Sequence, residues 1–201
     1  GEIHELPNDS KNNYTVFSLW DTYRATHPLF TLTQIQRTND FIRTFLRQFE
    51  QKGTLPIWEL AGNETGCMIG YHSVSVIADA FTKGIQDYDA QQAIAAMIAT
   101  SIRDELGKKE YAEQGFLGVS NEPESVSKTL EYAYNDFCIA EMIDAYHNRD
   151  QVVTYHKELG HYRNRSMNFI NLYDPSTKFM RARRSGSWFS PFDPAEVNFN
   201  Y

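Results

Sequence analysis

The sequence predicts an all-α fold, a layered toroid of antiparallel helix pairs followed by an extended C-terminal tail. Apolar residues recur at three- and four-residue spacing through six segments, and neither strand–helix–strand alternation nor much two-residue alternation is present. Several segments are also apolar around most of their circumference, as helices enclosed by neighbours are. This last feature fits a toroid of helix pairs better than a four-helix bundle.

The first two helices are predicted from aromatic spacing and from the residues that end them. One runs from Tyr14 and ends before Pro28, because the position before a proline disfavours helix. The next begins at Thr33, is strongly amphipathic, and ends at Gly53. Proline and glycine between Gly53 and Gly66 predict a loop, and an unusual loop of this kind is a candidate carrier of function.

The remaining four helices follow from capping residues and apolar periodicity. Asp89 is the predicted N-cap of the second of them, which ends near Gly107. Phe137 and Phe169, in the last two helices, are predicted to face inward. The predicted spans are residues 67–83, residues 89 to about 107, a helix that starts at Ser125 or Ser127, and residues 151–172.

The tail from Lys178 to Tyr201 is different, because it is rich in aromatic, arginine and proline residues and lacks a helical period. Its WFSPF stretch at residues 188–192 would expose apolar surface unless something covers it. The sequence therefore predicts that the natural domain continues beyond Tyr201. The chain starts without Met or an apolar signal stretch, so its start is expected to be processed or cut from a longer protein, and localisation is not readable there.

Composition disfavours both nucleic-acid binding and a membrane-spanning segment. The 201 residues include 19 Lys and Arg against 26 Asp and Glu, a net charge of −7, which disfavours binding to a phosphate backbone. No apolar run approaches the roughly 18 residues of a bilayer span. Neither nucleic acid nor a membrane span is expected. The two cysteines, Cys67 and Cys138, lie among apolar residues and are predicted to be buried thiols.

Familiar catalytic motifs are absent or wrongly spaced. His156 and His161 lie five residues apart, whereas a zinc-protease helix needs two His four apart on one face. The chain contains no Gly-x-Ser-x-Gly elbow and no glycine-rich phosphate loop. Metal-protease, serine-hydrolase and nucleotide functions are therefore not expected from these motifs.

Two short segments carry candidate chemistry. In the first, Asp21 and Arg24 lie three apart among aromatic rings, where they form either a structural ion pair or part of a binding site. The second, residues 58–65, is either a solvated acidic loop or a polyol-binding loop, because carboxylates and amides share the hydrogen bonds of vicinal hydroxyls. Glu59 and Glu64 also look like the carboxylate pair of a glycosidase. The candidate residues of this segment are Trp58, Glu59, Asn63, Glu64 and Thr65.

Several long blocks resemble one enzyme family, glycoside hydrolase family 92, the calcium-dependent exo-α-mannosidases. These blocks are YTVFSLWDTYRA at 14–25 followed by HPL at 27–29, LPIWEL at 55–60, GNET at 62–65, CMIGYHSV at 67–74 and SVSKTLEYA at 125–133. The resemblance implies an (α/α)6 toroid preceded by a β-sandwich domain that this chain lacks. Residues 1–201 would be the N-terminal part of the single catalytic domain, an incomplete toroid.

The resemblance also implies where the chemistry lies. The family's general-acid glutamate, its base aspartate and its calcium-holding segment belong to blocks that resemble EGNAWQY, NDDCGQ and HGNEPSHH, and none of them occurs here. The acid and base are therefore expected beyond Tyr201, the calcium ligands outside this chain, and the isolated 201-residue piece is expected to be inactive. Asp21 resembles the aspartate that hydrogen-bonds the terminal mannose. Six further residues are expected to line or support the same pocket: Trp58, Glu59, Asn63, Glu64, Thr65 and His72.

The expected activity of the parent protein is removal of terminal, α-1,2-linked mannose from glycans by single displacement, in the periplasm or outside the cell. Two alternatives remain open. One is a noncatalytic helical module that binds carbohydrate or another partner. The other is a family member that cleaves mannose-phosphate or another linkage.

Overall fold

The computed structural model describes residues 12–14, 17–60, 62–150 and 154–201, and these residues are mostly helical, as predicted. A 3₁₀ helix, Ser166–Leu172, follows the last α-helix. The α-helices of the described residues are α1 Leu19–Thr22, α2 Thr26–Thr33, α3 Ile35–Lys52, α4 Ser73–Thr82, α5 Ala90–Ser101, α6 Lys108–Gln114, α7 Ser125–Asp150 and α8 His156–Arg165.

Strands are minor, as the sequence predicts. The described residues contain three antiparallel hairpins of two-residue strands. They are β1 Glu59–Leu60 with β2 Asn63–Glu64, β3 Tyr173–Asp174 with β4 Phe179–Met180, and β5 Arg183–Arg184 with β6 Ser187–Trp188. The first hairpin lies in the loop between α3 and α4, and the other two order the start of the C-terminal tail.

Helix α7 is the centre of the core, because α4, α5, α8 and the 3₁₀ helix all pack against it. The buried side chains of this core are mostly aliphatic and aromatic, and they come from residues 19–162. Fully buried members include Ile42, Leu55, Ile77, Ile94 and Ile139. A smaller cluster of Val126, Leu172 and Ala182 lies under the C-terminal hairpins.

Three predicted helix boundaries are confirmed. Gly53 follows α3 in the left-handed conformation, with φ 75°, and its N–H donates to Phe49 O. The Asp89 side chain caps α5 by accepting from Gln92 N at 2.9 Å. Helix α7 begins at Ser125.

The predicted helix from Tyr14 to Pro28 is wrong. The chain instead forms the single turn α1 and then α2, which contains Pro28 as its third residue. Proline is tolerated there because the N–H groups of a helix's first turn have no partner within the helix. Pro28 therefore belongs to the start of α2 and does not mark the end of a preceding helix.

Two other predicted helices are shorter than expected. Residues 67–72 are not helical and α4 begins only at Ser73, after Gly70 has adopted φ 83°. Helix α5 ends at Ser101, and Gly107 is the N-cap of α6, a helix that the sequence analysis missed. Of the predicted helix over 151–172, residues 151–153 lie outside the described residues, and the rest divides into α8 and the 3₁₀ helix.

Some predicted burial is also wrong. Phe137 is 47% exposed and Phe169 is 36% exposed. Both line an apolar groove between α7 and the 3₁₀ helix, together with Leu130, Tyr134 and Met167. Cys138 is buried as expected, whereas Cys67 is exposed because the loop that carries it is not helical.

No helix of the described chain is both long enough and apolar enough to cross a bilayer.

Candidate functional site

Four side chains contact the carboxylate of Glu131, which lies on α7. Trp20 Nε1 and Arg24 Nη2 each donate to Glu131 Oε1 at 2.9 Å. Tyr23 OH donates to Oε2 at 3.3 Å, and His72 Nε2 lies 3.1 Å from the same oxygen. We call these five residues the Glu131 cluster. They join the α1 region, the start of α4 and the first half of α7.

The electrostatics of the Glu131 cluster favour an ionised carboxylate beside a neutral imidazole. Burial would raise the pKa of Glu131, but hydrogen bonds and charge from His72, together with donors from Arg24 and Trp20, lower it to about 2. Burial lowers the pKa of His72 below its usual value, against the opposing pull of Glu131. At neutral pH, Glu131 therefore carries the negative charge and His72 is uncharged.

The amide of Asn135 lies against the Nδ1 side of the His72 ring. The backbone N–H of Tyr71 donates to Asn135 Oδ1 at 2.9 Å, so the amide NH₂ is the group that faces His72. Asn135 Nδ2 lies 3.1 Å and the Ser75 hydroxyl 3.2 Å from His72 Nδ1. With Nδ1 as the acceptor from Asn135, the ring proton is on Nε2, the nitrogen that lies 3.1 Å from Glu131 Oε2.

Aromatic and cationic groups stack beside this carboxylate. The rings of Tyr23 and His72 are parallel, with centroids 3.9 Å apart. The guanidinium of Arg24 lies 4.8 Å from the ring centroids of both Trp20 and Tyr23. Burial and the nearby Glu131 charge raise the pKa of Tyr23 to about 12, so its hydroxyl stays protonated and able to donate.

Asp21 lies in α1 between two members of the Glu131 cluster and is exposed. Its carboxylate accepts a hydrogen bond from the hydroxyl of Ser18. The ion pair of Arg24 is with Glu131 rather than with Asp21, because the carboxylate of Glu131 is already within reach from α7. Asp21 thus remains on the surface, with the Ser18 hydroxyl as its hydrogen-bond donor.

The second candidate segment forms the hairpin of β1 and β2, in which Glu59 pairs with Glu64 and Leu60 with Asn63. The Glu64 carboxylate accepts from the backbone N–H groups of Ile57 at 2.7 Å, Trp58 at 3.2 Å and Gly66 at 2.9 Å. This geometry assigns the Glu64 carboxylate to bracing the loop.

Thr65 braces the same loop from its other end. Its hydroxyl donates to Trp58 O at 2.8 Å and accepts from Cys67 N at 3.2 Å, while its own N–H donates to Trp58 O at 3.0 Å. The predicted site residues Trp58, Glu64 and Thr65 are therefore held together by direct contacts.

Glu59 and Asn63 line a cavity of about 540 Å³ between this hairpin and the C-terminal end of α3. Gln48 and Lys52 contribute the α3 side of that cavity. Burial and the charge of Glu64 raise the pKa of Glu59, although Gln48 and Lys52 oppose the shift. The lining of the cavity is mixed, with polar and apolar side chains, and the pKa of one of its carboxyl groups, Glu59, is raised.

Residues 56–57 connect the hairpin to the Glu131 cluster. Leu19 N, at the start of α1, donates to Ile57 O at 3.2 Å, and the Ser73 hydroxyl, at the start of α4, donates to Pro56 O. The predicted site residues therefore fall into two linked groups. Asp21 and His72 belong with Glu131, and the residues of the 58–65 segment belong with the hairpin.

Comparison with known proteins decides the family. The model of the glycosyl hydrolase family 92 catalytic domain matches residues 2–200. The chain belongs to glycosyl hydrolase family 92. A search of curated proteins gave no match.

Three solved structures illustrate the similarity of this family 92 chain to its relatives. The family GH92 α-mannosidase BT3965 from Bacteroides thetaiotaomicron is 43% identical over 92% of this chain, with a TM-score of 0.85. Its complex with mannoimidazole is 44% identical over 90% of the chain, with a TM-score of 0.84. The inverting mannosidase BT2199 from the same organism is 33% identical over 92%, with a TM-score of 0.81. The chain covers 24% of the two BT3965 chains and 25% of the BT2199 chain, about a quarter of their length.

The part of this family 92 chain that the structure describes does not form a metal site. No group of three or more His, Cys, Asp and Glu residues is placed to hold an ion there.

The sequence analysis missed Glu131 as a site residue, together with its partners Trp20, Tyr23 and Asn135. Glu131 does lie in the block at 125–133 that carries the family resemblance. That block was the available signal, but nothing in it indicates a partner more than a hundred residues away.

Proposed function

We propose that the protein containing this chain is an exo-α-mannosidase that removes terminal mannose from glycans. The observation that carries the proposal is the 43–44% identity, over at least 90% of this chain, to a family 92 protein named as an α-mannosidase. The exposed carboxylate of Asp21 supports it, because carboxylates bind vicinal sugar hydroxyls.

In this proposal the chain is the N-terminal part of an (α/α)6 toroid, and it contributes residues that bind the sugar. Asp21 accepts hydrogen bonds from mannose hydroxyls. The hairpin residues Trp58, Glu59, Asn63, Glu64 and Thr65 shape the neighbouring wall. The general acid, the base and the calcium ligands belong to polypeptide outside these residues.

The mechanism we propose is single displacement with inversion at the anomeric carbon, on α-1,2-linked substrates. The inverting mannosidase among the matched structures supports the stereochemistry. Action on glycans in the periplasm or outside the cell completes the proposal.

The test is an assay of the full-length protein, with calcium present, on an aryl α-mannoside and on α-1,2-, α-1,3- and α-1,6-linked mannobioses. We expect hydrolysis, fastest on the α-1,2 linkage, with β-mannose as the first product seen by NMR. We expect the 201-residue chain alone to be inactive. Hydrolysis by the isolated chain would show that the acid and base are placed wrongly, and α-mannose as first product would exclude inversion.

A further inference from the structure

We propose that Glu131 is a positioning residue for sugar binding: it fixes the short helix α1 and thereby the orientation of Asp21. This inference rests on the proposed function, because it takes Asp21 as the residue that meets the sugar. Glu131 itself would touch no substrate.

Helix α1 cannot hold its own position. It contains four residues, and a helix of one turn is not stable in isolation because nucleation costs more than its few hydrogen bonds return. Its orientation must come from tertiary contacts. On one side these are the buried side chain of Leu19 and the bond from Leu19 N to Ile57 O.

On the other side the tertiary contacts converge on Glu131. Trp20 and Arg24, the residues just before Asp21 and three positions after it, both donate to Glu131 Oε1 at 2.9 Å. Glu131 therefore ties the α1 region to α7, the helix against which α4, α5, α8 and the 3₁₀ helix all pack. The hydrogen bonds of Trp20 and Arg24, one of them before Asp21 and the other after it, therefore fix the orientation of α1 at Asp21.

Glu131 has no capacity left for a sugar hydroxyl. Its side chain is 17% exposed, its two oxygens accept hydrogen bonds from Trp20, Tyr23 and Arg24, and His72 Nε2 lies 3.1 Å from one of them. A carboxylate surrounded in this way orders its donors. It is therefore assigned to positioning rather than to binding.

His72 is the remaining residue that contacts the Glu131 carboxylate. It is 1% exposed, is neutral, and its Nε2 lies 3.1 Å from Glu131 Oε2, with Asn135 against the other side of the ring. A neutral donor holds the carboxylate without neutralising the charge that Arg24 needs. The predicted role of His72 in the pocket is thus to support Glu131.

The experiment is a double-mutant cycle in the full-length protein between Asp21→Ala and Glu131→Gln, with kcat and KM measured on an aryl α-mannoside. We expect Glu131→Gln alone to lower kcat/KM about 10- to 100-fold, as misplacement of a binding group does. Because Glu131 acts through Asp21, we expect the double variant to be no worse than Asp21→Ala alone. Independent, multiplicative effects would overturn the proposal.

A matched control lies on the same helix. Asp144 forms an exposed pair with Arg163 at 3.2 Å, so Asp144→Asn should change kcat/KM less than about twofold, because surface pairs contribute little. Its small effect should multiply with that of Asp21→Ala. If Glu131→Gln does not fold, Arg24→Gln replaces it, since Arg24 is partly exposed and supplies one of the four contacts. Arg24→Gln should likewise be non-additive with Asp21→Ala.

A second readout does not depend on activity. Hydrogen exchange of the amides of residues 19–24 should be faster in Glu131→Gln than in the wild type and unchanged in Asp144→Asn. Unchanged exchange in a folded Glu131→Gln variant would overturn the positioning role even if the protein proved not to be a mannosidase. Conversely, mannoside hydrolysis with additive effects would leave the proposed function standing and remove this inference.

Discussion

Gly70 lies directly against the edge of the His72 ring: a Cβ atom at position 70 would stand 2.5 Å from His72 Nε2 and 3.1 Å from Asn135 Oδ1. Gly70 also has φ 83°, which side chains rarely adopt. The backbone at this point therefore leaves space for the nitrogen that meets Glu131.

The first prediction concerns this contact. Gly70→Ala should destabilise the protein by about 2–4 kcal/mol, through the positive φ and the displacement of His72. Gly84→Ala is the matched control, since Gly84 has φ 82° but open space where the Cβ would be. It should cost only about 1–2 kcal/mol in denaturant unfolding. Equal losses in the two variants would show that the His72 contact is unimportant.

The second prediction concerns His27, which is 1% exposed and surrounded by Phe17, Phe30, Phe41 and Phe45. Burial lowers its pKa to about 4, below the usual 6.5. Between about pH 4 and pH 6.5, His27 is therefore protonated in the unfolded chain and neutral in the folded chain. The contribution of His27 to the free energy of unfolding should be fully present above pH 6.5 and should be lost as the pH falls to about 4.

The size of this loss is about 3 kcal/mol at most, from 1.36 kcal/mol per pKa unit. Denaturant unfolding at a series of pH values, for the wild type and for His27→Leu, measures it. The variant should lack this part of the pH dependence. An identical slope in both proteins would exclude His27 as its source.

The third prediction separates bracing from catalysis at Glu64. Glu64→Gln should keep kcat within about tenfold, because the side chain holds backbone N–H groups rather than a substrate proton. It should lower the free energy of unfolding by about 1–2 kcal/mol, since one N–H must then face an amide NH₂. Loss of nearly all turnover with unchanged stability would instead assign Glu64 a chemical role.

The fourth prediction is that Asp21→Ala removes a charge-assisted hydrogen bond to the sugar, about 1.5–3 kcal/mol of binding. In kcat/KM for an aryl mannoside this corresponds to a loss of about 10- to 150-fold. Asp104→Ala, at another exposed aspartate, is the control and should leave kcat/KM unchanged. Wild-type kinetics in Asp21→Ala would remove Asp21 from the pocket.

The sequence by itself determined the helical class, the family and the local boundaries of helices. Gly53 and Asp89 were predicted correctly because a cap depends on residues within one turn of it. Pro28 was misread because the same residue can precede a helix end or belong to a first turn, and only its neighbours in space decide.

Tertiary structure decided the partners in the site. An ion pair between Arg24 and Asp21, three residues away, was one of two interpretations of the sequence, but the fold brings Glu131 from 107 residues further along the chain. His72 gained its supporting role from Asn135 and Glu131 in the same way. Periodicity records which side of a helix is apolar, whereas the choice among competing charged partners depends on distances that only the packed chain creates.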